Sequence, residues 1–299
     1  MHMLPEPFVR TIKGVHQERG EIWLQQFGQL VAYCETRWSC KLLEPFKLSY
    51  NYVAPVRMED GTEAVIKLGV PSKEITTELT ALRLYNANGA VKVLDSDEER
   101  GIMLLERIYP GQTLNTVGDE EKEALHAAAV MRKLRAPVPI GVKLPSVADW
   151  AQGLTKLRNR FDGGTGPLSE RLVRKAEAAY ASLIPSMRNV ELLHGDLHHE
   201  NILSAEREPW IAIDPKGLIG EPEYQVIQFL LNHMPKLNPT AALERRVDIF
   251  TEELKLDKKR LLSWAMCHSV LSSWWSLEDN TDGAMESMEM AERFETLLE

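Results

Sequence analysis

Apolar positions along the chain follow two different periods, and the change between them divides the sequence. Between about residues 17 and 38, Trp23, Phe27, Leu30, Val31 and Cys34 fall at i, i+4, i+7, i+8 and i+11, one stripe of a packed helix. From Lys41 to Leu68 the texture becomes strand-like. Residues 48–56 are rich in aromatics and valine, Met58-Glu59-Asp60-Gly61 reads as a turn, and Ala64-Val65-Ile66-Lys67-Leu68 is short and apolar. The spacing predicts an antiparallel hairpin with Lys67 in its second arm. Pro71-Ser72 then opens a helix with Ile75, Leu79 and Leu82 on one face and Glu74 and Glu78 on another, ending near Asn88-Gly89. Two more strands, 90–94 and 101–106, flank a turn at 95–100.

Beyond the breaker Tyr109-Pro110-Gly111 the helical period takes over. Helices are predicted over 119–135, 150–161, 168–183, 223–232, 240–254, 257–277 and 284–298. The first is acidic at its start and basic at its end, as the macrodipole favours, and Ser146 with Asp149 offers a capping-box-like start to the second. Asp162-Gly163-Gly164-Thr165-Gly166 reads as a loop, because it has neither a preceding strand nor a Walker lysine. Only 190–193 and 210–213 interrupt the pattern, as short apolar stretches fit for strands. The expectation is an α+β chain: 1–107 a small antiparallel sheet with helices, 108–299 a larger, mainly helical part.

Composition adds bounds. The 299 residues are 44% hydrophobic and 26% charged, as in globular proteins, and large-scale disorder is not expected. The first seven residues lack the basic and apolar regions of a signal peptide, and no apolar run has the length of a membrane span, so a cytoplasmic protein without membrane contact is expected. Cys34, Cys40 and Cys267 are too few for a disulfide scaffold and are expected as packed thiols. A net charge of −9 argues against nucleic-acid binding. Nine Lys or Arg stand against fifteen Asp or Glu from Pro215 onward, so most of the negative charge lies there. It is either a set of solvated helix faces or an attraction for a cationic small molecule.

The candidate chemistry sits at His194-Gly195-Asp196-Leu197-His198-His199-Glu200-Asn201, with Asp214 following one strand later. Phosphoryl transfer needs a hydroxyl aligned with the γ-phosphate and cations that spread the developing charge. Asp196 would accept the hydroxyl's hydrogen bond and proton. Asn201 and Asp214 offer the hard oxygen ligands that suit Mg²⁺. His194 would brace the loop through hydrogen bonds, and His198 or His199 could touch a substrate. Upstream, a lysine in an apolar strand is costly unless paired, so Lys67 calls for a partner on the next helix, Glu78 with Glu74 as substitute. Far downstream, Trp275, Glu278 and Asp279 could reach a bound cation.

These residues together resemble the aminoglycoside phosphotransferase family, in its streptomycin 6-kinase-like and hydroxyurea-resistance-type branch. The likeness rests on 64–68, Glu78 with Ala81-Leu82, 101–106, the 194–203 loop and Ile213-Asp214-Pro215-Lys216-Gly217 through Gly220-Glu221-Pro222. It implies a two-lobed protein-kinase-like fold and an ATP-dependent enzyme that moves the γ-phosphate to a hydroxyl of a small molecule, such as an aminoglycoside. The resemblance gives Asp196 the general-base role, gives Asn201 and Asp214 to Mg²⁺, and has Lys67, paired with Glu78, grip the nucleotide phosphates. Main-chain atoms of Glu106 and Ile108 would meet the adenine edge. Two departures stand out. The loop around Lys47-Leu48-Ser49-Tyr50 has no glycine, so a phosphate cover would use Ser49 or backbone amides. Gln225 stands where the pattern has an aspartate supporting the loop. The remaining alternatives are a metabolic kinase for an amino alcohol or sugar, and an inactive nucleotide-binding scaffold.

Overall fold

A computed structural model describes residues 4–299; the first three, part of the stretch read above for a leader, lie outside the described residues. The chain divides into two compact units, Met1–Pro110 and Gly111–Glu299.

The first unit opens with helix α1 (Glu6–Arg37), longer than the apolar stripe predicts and broken at Gln17, whose backbone is left-handed at φ 50°. Its first half was not legible because Pro5 and Pro7 mask a short helical repeat, Phe8 and Ile12, both of which are buried. Gly20 allows the break: a side-chain carbon there would collide with the Ile12 carbonyl. The second half buries Trp23, Phe27, Val31 and Cys34 on the predicted stripe, and Phe27 meets Tyr52 edge to face at 4.8 Å. Strands β1 (Cys40–Leu42), β2 (Tyr52–Met58), β3 (Glu63–Leu68), β4 (Val93–Asp97) and β5 (Ile102–Glu106) form one antiparallel sheet in the order β1-β2-β3-β5-β4. Helix α2 (Lys73–Tyr85) starts on the Ser72 hydroxyl, which accepts the Ile75 N–H, and stops at left-handed Asn86. Strand β4 runs into the predicted turn because α1 holds its end: Arg37 and Trp38 bind Asp95, and Tyr33 binds Asp97.

The boundary falls within β6 (Pro110–Thr113), and the second unit continues with a 3₁₀ turn, then α3 (Glu120–Lys133), α4 (Val147–Arg160) and α5 (Glu170–Leu183). Asp119 caps α3, and Ser146 and Asp149 form both halves of the capping box on α4. Strand β7 (Glu191–Leu193) pairs with β10 (Leu218–Gly220), and β8 (Ile202–Ala205) lies between β6 and β9 (Trp210–Ala212). The helix predicted over 223–232 is two short ones, α6 (Pro222–Gln225) and α7 (Ile227–Leu231). Helices α8 (Pro239–Leu254), α9 (Lys258–Glu278) and α10 (Ala284–Leu298) complete the unit. Helix α9 is buried nearly all round, including Trp264, Cys267 and Trp274, so it forms the centre of this core. No helix among the described residues is long and apolar enough to cross a membrane.

Candidate active site

In the second unit, two short antiparallel ladders deliver the proposed chemistry. Strand β7 ends at Leu193 and hands the chain to His194; β9 ends at Ala212 and hands it to Ile213 and Asp214. What joins the two exits is the imidazole of His194, which is fully buried. Its Nε2 donates to the Ile213 carbonyl at 2.8 Å, which leaves Nδ1 as an acceptor for the Asp196 N–H at 3.2 Å. The His194 carbonyl accepts the Lys216 N–H at 2.7 Å. Burial holds this histidine far below its ordinary pKa, at about 3, so the ring is neutral and its tautomer is set by its partners. One side chain thereby fixes Asp196 relative to the residue before Asp214, the bracing role read from the sequence.

Gln225 supplies the next support. Its Oε1 accepts the His194 N–H at 2.8 Å, so a buried backbone donor is satisfied by the residue that departs from the family pattern. Gly195 stands at φ 83°, where only glycine sits without strain, and a side-chain carbon there would press on Lys216 and Leu218 at 3.2 and 3.3 Å.

Asn201 closes the loop. Its amide nitrogen donates to the Asp196 carbonyl at 2.9 Å and lies 3.2 Å from His198 Nε2, so the amide oxygen is turned away from the loop backbone. Asp214 is exposed and its backbone is left-handed at φ 58°, directly before Pro215, a position that ordinarily favours extended backbone. An amide oxygen and a carboxylate are hard donors of the kind Mg²⁺ takes, so the residues fit that ion. Among the described residues no group of three or more His, Cys, Asp or Glu could hold a metal unaided. Protein donors here would therefore be completed by phosphate and water oxygens.

Burial raises the Asp196 pKa above the ordinary carboxylate value; His198 and Lys216 pull it down and Asp214 pushes it up. His198 Nε2 lies 3.9 Å from Asp196 Oδ1, and its Nδ1 is 2.8 Å from Glu200. His198 is half-buried and borders the proposed base. His199 is not available to a substrate, a correction to the expectation above. It is fully buried, stacks on Phe229 at 4.0 Å between ring centroids, and has its Nε2 3.6 Å from Glu123. It packs under the loop because the 3₁₀ turn at His199–Asn201 points it inward.

The first unit brings Lys67 and Glu78 together. The Lys67 ammonium binds both Glu78 oxygens, at 2.6 and 2.8 Å, and both side chains are buried. The choice between Glu78 and Glu74 thus falls to Glu78. Ser49 lies exposed in the bend before β2. The Glu106 N–H is donated to the Lys92 carbonyl at 2.9 Å at the end of β5, and Ile108 is buried just beyond that strand.

Of the distal trio, Trp275 is half-buried on α9, and Glu278 and Asp279 are exposed at that helix's end, Glu278 3.7 Å from Lys156. The sequence reading missed Trp150 on α4. Its ring edge comes 3.4 Å from where a Gly195 side chain would begin, and no periodicity signals this contact because α4 and the loop are far apart in the chain.

Solved structures with the same fold give the class. The chain superposes on an aminoglycoside phosphotransferase in ternary complex with ADP and hygromycin B with a TM-score of 0.65 at 14% identity, covering 89% of this chain and 97% of that one. Choline kinase from Streptococcus pneumoniae gives a TM-score of 0.64 at 12% identity over 91% and 99% of the two chains. The fold is therefore that of the protein-kinase-like small-molecule kinases. Sequence narrows this further: residues 40–280 match the aminoglycoside/hydroxyurea antibiotic resistance kinase family, and the chain belongs to it. It is 34% identical to streptomycin 6-kinase of Streptomyces griseus over 283 residues, 92% of this chain and 91% of that protein. It is 33% identical to hydroxyurea phosphotransferase of Kitasatospora aureofaciens over 257 residues, 84% and 73% of the two.

Proposed function

We propose that the protein transfers the γ-phosphate of ATP to a hydroxyl of an antibiotic-like small molecule, with streptomycin as the leading acceptor, and that it works in the cytoplasm, where ATP is supplied. The observation that carries the reading is the His194 imidazole, which binds the Asp196 N–H and the Ile213 carbonyl at once and so sets a carboxylate and Asp214 in one frame.

The roles follow from the chemistry at each atom. Asp196 accepts the acceptor's hydroxyl hydrogen bond and takes its proton as the oxygen attacks phosphorus. The new O–P bond forms while the bond from the γ-phosphorus to the bridging oxygen breaks, and ADP leaves. A carboxylate whose pKa burial has raised is a better base for that proton than an ordinary one. Lys67, held by Glu78, neutralises nucleotide phosphate charge in the first unit's part of the work, with Ser49 and main-chain atoms of Glu106 and Ile108 completing the nucleotide contacts. Asn201 and Asp214 would hold Mg²⁺, which would supply positive charge to the phosphate oxygens. His198, next to Asp196, and Trp275 with Glu278 and Asp279 face the acceptor.

The test is a coupled assay of ADP release with streptomycin, other aminoglycosides, hydroxyurea, amino alcohols and neutral sugars. Streptomycin is expected to be turned over, with Asp196→Asn lowering kcat by roughly 10²- to 10⁴-fold while ATP still binds. Turnover of choline or sugars alone would replace the acceptor, and an unchanged kcat in the variant would remove Asp196 from its role.

A further inference from the structure

Beside the 194–201 loop the second unit carries an aromatic corner. Trp150, from α4, reaches Gly195 with Cη2. Trp275, from α9, meets it at a centroid distance of 5.3 Å with the ring planes at 90°. Both indoles are only half-buried. The two helices can approach because Gly153 on α4 has no side chain; a carbon there would run into Leu271 and stand 3.5 Å from Trp275 Nε1. Under the corner lies a buried polar floor. His268 is 6.3 Å from the Trp150 ring and 5.6 Å from the Trp275 ring, and it is tied to the Tyr224 hydroxyl at 2.6 Å and the Gln228 amide at 3.3 Å. These bonds lock the floor and so hold the angle between the two tryptophans.

The two indoles meet edge to face and each is partly exposed, so together they present aromatic surface beside the loop, which suits a flat group and favours a flat cation. The charges around it are consistent with such a guest. Glu278 and Asp279 follow Trp275 at i+3 and i+4 on the same helix face. The nearby cations are Lys156, already 3.7 Å from Glu278, and Lys216, whose Cβ flanks Gly195.

We propose that the Trp150–Trp275 corner is the wall on which the acceptor docks, and that it selects a planar, Y-shaped nitrogen group carried close to the reacting hydroxyl: guanidinium or urea. The inference rests on the kinase reading above and deepens it. Guanidinium, with three nitrogens on one carbon, and urea, with two nitrogens and an oxygen, have nearly the same outline. Streptomycin carries the first and hydroxyurea is a substituted form of the second, so one aromatic wall serves both. Only the cationic guest gains the full attraction of the π-faces.

The test is Trp150→Ala in the full-length protein, assayed with streptomycin and ATP. An increase of about 5- to 30-fold in the KM for streptomycin is expected, as loss of a cation–π contact gives, with the KM for ATP within about twofold. Trp150→Phe should recover part of the loss, and methylguanidine should compete with streptomycin but not with ATP. Unchanged acceptor KM in a folded variant overturns the proposal. Should Trp150→Ala fail to fold by thermal unfolding, Trp275→Ala, at a half-exposed side chain, is held to the same criterion. Failure of the wild-type protein to phosphorylate any guanidinium or urea acceptor, while using others, would overturn the proposal but leave the kinase reading intact; no turnover with any acceptor would overturn the kinase reading itself.

Discussion

Gln225 is the position at which family pattern and structure diverge, so Gln225→Met is an informative perturbation. The side chain keeps its length and volume but loses the oxygen that accepts the His194 N–H at 2.8 Å. His194 is fully buried and Gln225 is 8% exposed, so water cannot replace that acceptor, and orphaning the donor costs about 1–3 kcal/mol. Against this, the Gln225 amide nitrogen is itself buried without a hydrogen-bond partner, and deleting it returns a penalty of about 1–3 kcal/mol. The two terms largely offset each other, and global stability by denaturant titration should change by no more than about 2 kcal/mol. Catalysis should not be spared. Releasing the His194 N–H loosens the residue whose ring holds Asp196, and a shift near 1 Å at a reacting group costs on the order of 10²-fold. The expected result is a near-normal denaturation midpoint, faster hydrogen exchange of the His194 amide and a kcat at least tenfold lower. A kcat within twofold of wild type, with the His194 amide exchanging faster, would refute the claim that this bond positions the loop.

Two further outcomes follow from the same frame. Gly195→Ala should destabilise the protein by about 1–2 kcal/mol for the left-handed backbone alone, with more from pressure on Lys216 and Leu218, and should lower kcat; thermal unfolding with parallel turnover measurements checks both. Acid should destabilise it steeply: His194 and His268 are buried and titrate at about 3 and about 4 instead of 6.5, so below pH 6.5 the unfolded chain binds protons that the folded chain refuses. Stability then falls as pH drops, at up to about 2.7 kcal/mol per pH unit between roughly pH 5.5 and 4.5 for the pair, and denaturant midpoints that stay flat across that window would contradict it.

Much of this architecture could be read from the chain because it depends on local signals. The stripe from Trp23 to Cys34, the Ser72 cap and the Ser146–Asp149 box each act within one or two helical turns, and each appears where the spacing puts it. Lys67 was also legible, since an ammonium in an apolar strand must find a partner nearby, and Glu78 is 11 residues away. The features that could not be read are those made by distant segments. Nothing local tells His199, which stacks on Phe229 and faces Glu123, from His198, which borders Asp196. Nothing local brings Trp150 to Gly195 or Gln225 to His194. The break at Gln17 belongs to the same class, because it exists to fold Phe8 and Ile12 onto a core that the sequence does not display.

The choice of histidine at 194 has a physical reason. The frame needs a donor toward the Ile213 carbonyl and an acceptor toward the Asp196 N–H on one rigid body, and a neutral imidazole supplies both on opposite sides of a planar ring with two side-chain torsions to fix. A longer amide side chain could make both bonds only by freezing more rotations, and a carboxylate could not donate. A charged imidazole would also fail, because its second N–H would face the Asp196 N–H and place a positive charge beside the residues meant for the cation. Burial solves that problem by holding the ring neutral down to about pH 3. The same burial makes the ring a liability in the unfolded chain at mild acidity. Positional accuracy at Asp196 and sensitivity to acid therefore have one origin, and a substitution that relieves the second by removing the ring must give up the first.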